Sequence, residues 1–137
     1  MFHYRKNQKR KDRTAKPDRC PFCPGGSHEP ALHETKHHMI VPNYIPYDVW
    51  EMRRVTDHLM IIPKRHVRSL GELTDEEQLD HIQLMAEYET KGYNVYARGV
   101  ASHQRTIEHQ HTHLIKTSDK QAHVQINLEK PYLLIKF

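Results

Sequence analysis

Cysteine is scarce, with two in 137 residues, and that rules out a disulfide framework. The two stand as Cys20-x-x-Cys23, which in a cytosolic chain points to metal or redox use. Apolar runs are short, and none approaches the roughly 18 residues of a membrane span. Met1-Phe2-His3-Tyr4-Arg5 opens no signal-peptide core, so a cytoplasmic protein with no membrane contact is expected. Internal repeats are lacking, as is low-complexity sequence beyond a basic start. What is present in excess is histidine, with 13 residues. The 36% hydrophobic and 28% charged content is that of a folded domain, and the length suits one.

Charge is unevenly placed. Residues 1–19 hold eight lysines and arginines against Asp12 and Asp18, while the rest of the chain carries 13 basic and 15 acidic side chains. The excess of positive charge therefore belongs to a basic arm, 1–19, and not to the domain expected over 20–137. Such an arm could bind nucleic acid by releasing counterions, or be a solvated tail. It has almost no interleaved aromatics and no groove-reading motif.

Along the chain, Cys20-Pro21-Phe22-Cys23-Pro24-Gly25-Gly26 reads as a knuckle closed by turn residues. Residues 38–43 read as a strand ending at its proline and 58–63 as a buried strand stopped by Pro63. Between them, 43–50 read as an ordered loop and 49–55 as added extended structure. Thr74 and Glu77 have capping-box spacing, and Asp75 and Glu76 suit the positive end of a helix dipole. Leu79, Ile82 and Ala86 form the expected buried stripe of that helix, flanked by Leu84 and Met85, with Gly92 as its stop. Residues 93–98, 107–116, 122–128 and 132–137 read as further strands. Strands, one substantial helix, then strands describe an α+β fold with a mainly antiparallel sheet.

His109-Gln110-His111-Thr112-His113 is the most informative segment. In a strand, its three imidazoles share one face about 7 Å apart in succession. Such a row offers a nucleophile, a metal ligand and a hydrogen-bonding orienter; the bland reading is three solvated side chains. Asp57-His58-Leu59-Met60-Ile61-Ile62-Pro63-Lys64-Arg65-His66 and Asn43-Tyr44-Ile45-Pro46-Tyr47 lie upstream, after the Cys20–Cys23 knuckle. Together these segments resemble the histidine triad (HIT) family, with its H-φ-H-φ-H-φ-φ, G-H-φ-φ-φ-φ-P-K-x-H and N-x-x-P-Y motifs and, in many bacterial members, an early C-x-x-C. The resemblance spans roughly residues 20–116, with its segments in the family's order. Departures are specific. Gln110 and Thr112 are polar where the motif is apolar, and Arg98 and Arg105 stand where an asparagine and a glutamine are common.

The resemblance implies a HIT-like fold and a hydrolase or transferase acting at the α-phosphate of a nucleotide. His111 would be the nucleophile, forming a covalent nucleotidyl-histidine, with His113, Thr106 and Arg105 supplying hydrogen bonds or charge to the phosphate. Asn43 would contact ribose or base, or else cap a turn before Pro46. It further implies a structural Zn²⁺ on Cys20, Cys23, His66 and His109, a closed Cys₂His₂ set; His28, His33, His37 and His38 are competing ligands nearer in sequence. His58 is expected as a packed structural histidine, and Tyr47 and Trp50 as core. Family members are often symmetric dimers, so a homodimer is expected. The alternative is a non-catalytic nucleotide- or nucleic-acid-binding module stabilised by zinc, using the arm, Arg98 and Arg105.

Overall fold

Two prolines limit the first long strand pairing. The computed structural model describes residues 19–127 and 132–136; the basic arm up to residue 18 lies outside them. Within the described residues, β2 (His38–Pro42) and β4 (Arg53–Pro63) each end on proline and pair antiparallel, with His38 opposite Pro63. A proline has no N–H for the ladder and so closes it. β1 (His33–Glu34) flanks β2. β3 (Val49–Trp50) doubles back on β4 through Glu51 and Met52, both at positive φ, the backbone a tight hairpin needs. β5 (Asn94–Ala97) and β6 (Thr112–Gln121) complete a six-stranded antiparallel sheet ordered β1-β2-β4-β6-β5, with β3 beside β4. β7 (His123–Asn127) and β8 (Tyr132–Lys136) form a separate two-stranded sheet; residues 128–131 and 137, parts of the expected strand region, lie outside the described residues.

Two strand expectations shift. The strand expected at 58–63 starts at Arg53, with bulges between Arg53 and Val55 and between Val55 and Asp57. The strand expected at 107–116 starts only at Thr112. The cause is its partner: the last pair of β4 with β6 is Ile61 opposite Thr112, and β4 then runs out at Pro63. His109 and His111 therefore lead into the strand from beyond the ladder.

The helix, α1 (Asp75–Thr90), has the expected capping box. The Thr74 hydroxyl accepts from the Glu77 N–H, and the Glu77 carboxylate accepts from the Thr74 N–H. Gly92, at φ 84°, follows its end. The expected apolar stripe is wrong, however. Leu79 and Ile82 are 60% and 57% exposed and Ala86 is exposed too. The buried line is Glu77, His81, Leu84 and Tyr88. Two polar residues can hold that line because each finds partners: Arg65 binds Glu77 through two hydrogen bonds, and His38 and Thr112 bind His81. A satisfied polar group loses most of the penalty of burial.

Strand alternation splits the core between the two faces of the sheet. Under α1 lie Ile40, Leu59, Ile61, Leu84, Tyr88 and Leu114. On the opposite face, Met39, Val41, Met60 and Ile62 pack on Phe22 of the knuckle. Tyr47, Trp50 and Ile115 form a third cluster, so Tyr47 and Trp50 are core as expected. Truncating Ile61 or Leu114, both fully buried, costs about 2–5 kcal/mol.

Candidate functional site

The histidine row gathers on the face away from α1. His109 is fully buried and His111 and His113 nearly so. The His111 ring sits edge-on to Phe22 at 5.1 Å and to His113 at 5.0 Å. His111 Nδ1 lies 2.9 Å from the His109 carbonyl oxygen. A carbonyl only accepts, so Nδ1 carries the proton and Nε2 keeps its lone pair. Among the described residues, no hydrogen-bond partner meets that Nε2. Burial, aided by the Arg105 and Arg98 charges, lowers the His111 pKa and keeps the ring neutral.

His113 is oriented from β4. The Tyr47 N–H donates to His58 Nδ1 at 3.0 Å, which puts the His58 proton on Nε2, 2.9 Å from His113 Nδ1 and 3.2 Å from the Asn43 amide nitrogen. His113 in turn is protonated at Nε2. Tyr96 stacks on it with centroids 4.6 Å apart. His58 thus has the packed role expected of it, and it also sets the tautomer of its neighbour.

The expected phosphate and ribose contacts are more occupied than their sequence positions imply. Arg105 donates from Nε to the Ile107 carbonyl at 3.1 Å and from Nη2 to the Arg68 and Glu108 carbonyls, each at 2.5 Å. Only its Nη1 is buried without a partner among the described residues. Together with exposed Thr106, it borders a cavity of about 130 Å³ that His111 does not line. Arg98 is held by Gln104 at 2.6 Å and the Tyr47 hydroxyl at 3.0 Å. Asn43 Oδ1 accepts from the Ile45 N–H at 3.0 Å, which is the turn-capping arrangement.

Cys20, Cys23, His66 and His109 come together from three parts of the chain, with one ligand atom of each within 4.8 Å of the others. The thiol sulfurs lie 3.2–3.6 Å from the facing Nδ1 atoms. Tetrahedral zinc, with bonds near 2.3 Å to sulfur and 2.0 Å to nitrogen, sets such atoms roughly 3.5 Å apart. His109 Nε2 donates to the Pro63 carbonyl at 2.8 Å, which turns its Nδ1 lone pair toward the sulfurs, as metal-bound histidines require. Burial and the neighbouring Cys20 push the Cys23 thiol pKa up. The residues therefore fit a four-coordinate metal ion. Of the competing histidines, His28 bonds the Glu29 carbonyl, His37 faces Glu76, and His38 is engaged under the helix; among the described residues none joins this group. Gly26 closes the knuckle, since a Cβ there would lie 2.3 Å from the Pro21 carbonyl oxygen.

The sequence reading missed one residue, His81, and two contacts. Phe22, between the two cysteines, is packed against His111. His38 and His81, on the helix face, form a buried hydrogen-bonded pair at 3.1 Å. A signal for that pair existed: the polar Thr112 at an expected apolar position, which is the atom His81 binds at 3.0 Å.

No protein-family model matches the chain, and no curated protein does. Solved structures do. A protein described as Hit-like superposes with a TM-score of 0.53 at 15% identity, over 66% of this chain and 87% of that one. A HIT family hydrolase from Clostridium thermocellum is 22% identical over 66% of this chain and 81% of that one, with a TM-score of 0.49. A histidine triad protein from Clostridium difficile is 20% identical over 67% and 81%, with a TM-score of 0.47. The first superposition, with the antiparallel sheet and single long helix described above, establishes a HIT-like α+β fold.

Proposed function

We propose that the protein is a HIT-type nucleotide hydrolase or nucleotidyl transferase whose nucleophile is His111. The observation that carries this reading is the His111 ring itself: buried, neutral, its Nδ1 proton engaged by the His109 carbonyl and its Nε2 lone pair available. Nε2 attacks the α-phosphorus, a nitrogen–phosphorus bond forms, and the bond to the leaving group breaks with its electron pair. Water or another acceptor then displaces the histidine and regenerates it. His113, protonated at Nε2 one ring away, is the donor for the phosphate oxygens, with exposed Thr106 and the Nη1 of Arg105 in support. Asn43 remains the proposed ribose or base contact.

Cys20, Cys23, His66 and His109 hold a structural Zn²⁺, which fastens the knuckle to the residues entering β6. Zinc supplies a closed, four-ligand tie there, and its contribution is to folding and the placement of Phe22 against His111. A homodimer is the proposed assembly; a monomeric mass by light scattering overturns it.

The test of activity is nucleotide release from dinucleoside polyphosphates, nucleoside phosphoramidates and nucleotide sugars by wild type and His111→Ala. Release should fall about 10³-fold or more in the variant. Equal release would overturn the assignment, and tight binding without release would move the reading to a non-catalytic nucleotide-binding module.

A further inference from the structure

Under α1, on the face opposite the histidine row, a second set of buried histidines is left unused by the proposed reaction. Asp80 accepts from the Thr35 hydroxyl at 2.5 Å and from His38 Nδ1 at 2.8 Å. A carboxylate only accepts, so His38 is protonated at Nδ1 and its Nε2 must accept. It takes the His81 Nδ1–H at 3.1 Å. His81 Nε2 is then the acceptor, and the Thr112 hydroxyl donates to it at 3.0 Å. One direction runs from Thr112 to Asp80 through two neutral imidazoles. His38 is 0% and His81 2% exposed, so water does not compete.

The far end of this chain is placed where it matters. Thr112 stands between His111 and His113 and forms the last rung of the β4–β6 ladder, opposite Ile61. The proposed nucleophile hangs from that rung on the side without further pairing to β4. An apolar residue at 112 would be held by packing, which is non-directional. A hydroxyl bonded to a fixed imidazole is held in direction as well.

Taking His111 as the nucleophile, we propose that Asp80, His38 and His81 are positioning residues that anchor Thr112, and through it set the pose of His111 and His113. They touch no substrate. Their effect is on the geometry of attack, so it falls on kcat and not on substrate binding.

The experiment uses the metal-loaded protein and two readouts. Thr112→Val removes the donor at nearly constant size, and Thr112→Ser restores it. In Thr112→Val, kcat should fall about tenfold with KM within about twofold, and Thr112→Ser should stay near wild type. Asp80→Asn, isosteric and at the rim of the network, should shift in the same direction by less, and it stands in if Thr112→Val does not fold. Independently of turnover, imidazole nitrogen NMR should find His38 and His81 protonated at Nδ1, and the His111 and His113 ring signals should move in Thr112→Val. An unchanged kcat, or unmoved His111 ring signals beside a lowered Tm, would overturn the proposal and leave the network a packing feature. A wild type silent on every nucleotide would instead sink the catalytic reading, with the ring signals still deciding whether Thr112 sets the pose of His111.

Discussion

Two groups of imidazoles lie on either side of one sheet, and they differ in how their lone pairs point. At Cys20, Cys23, His66 and His109 the ligand atoms converge on a common centre, all within 4.8 Å of one another. In the Asp80–His38–His81–Thr112 chain the atoms meet end to end, and every proton has a place to go. Clustering of histidines is thus no sign of a metal site by itself. Convergence asks for a cation; a head-to-tail run is complete without one.

That contrast can be broken most forcefully with a chelator. Removing metal should lower the melting temperature by more than about 10 °C, since structural zinc contributes several kcal/mol to folding, while His38 and His81 keep their Nδ1 protons. Calorimetry with and without chelator reads this, and an unmoved transition would end the metal assignment.

Acid should strike the helix-face group next. His81 has its pKa lowered from 6.5 to about 4, by burial first and then by electrostatic repulsion from a second proton on the neighbouring His38, against Asp80. The folded state holds it neutral while the unfolded chain binds a proton, so its contribution is whole above about pH 6.5. That contribution is lost as pH falls toward about 4, by at most about 3 kcal/mol. The groups facing the pair are Asp80 and Glu77 from α1 and His37 beside β2. Glu77, held near 2 chiefly by Arg65, loses its contribution in a lower window, from about pH 4.5 to 2. Urea titrations at stepped pH should show the upper window flatten in His81→Gln relative to wild type; identical slopes would refute it.

Gly26→Ala attacks the convergent group without touching a ligand. Its Cβ would meet the Pro21 carbonyl at 2.3 Å, so the knuckle must open, at a cost of about 1–3 kcal/mol. Bound zinc, measured by mass spectrometry of the purified protein, should drop well below one per chain; full occupancy would contradict the packing argument. The smallest effect sharpens the comparison from the other side. Gln110 is 3% exposed and its Nε2 has no partner among the described residues, unlike Thr112 two positions on. Gln110→Leu should therefore stabilise by about 1 kcal/mol, and a lowered Tm would show that the amide is satisfied after all.

How much of this was legible in the sequence depends on how local each signal is. Thr74 with Glu77, and the prolines at 42 and 63, act on their immediate neighbours and were read correctly. The HIT-like fold and the four convergent ligands followed from motif resemblance, since Cys20 and His109 are far apart in the chain. The buried line of α1 was misread because hydrophobic periodicity ranks Leu79, Ile82 and Ala86 above Glu77 and His81. The choice was made by partners 12 to 43 residues away, Arg65, His38 and Thr112, and no local pattern reports them. The late start of β6 was hidden for the same reason, since it is set by where β4 ends. Gln110 and Thr112 were noticed as departures, and a polar residue in an apolar slot is a cue to look for a buried partner.

Pro63 joins the two groups. Its carbonyl holds His109 on one face, and in the ladder it stands opposite His38, whose side chain serves the other. Free energies at the two ends should then not add: a double-mutant cycle pairing His109→Ala with His38→Leu should leave a residual coupling of about 0.5 kcal/mol or more. Two networks that share no side chain would be thermodynamically aware of each other through a single peptide unit.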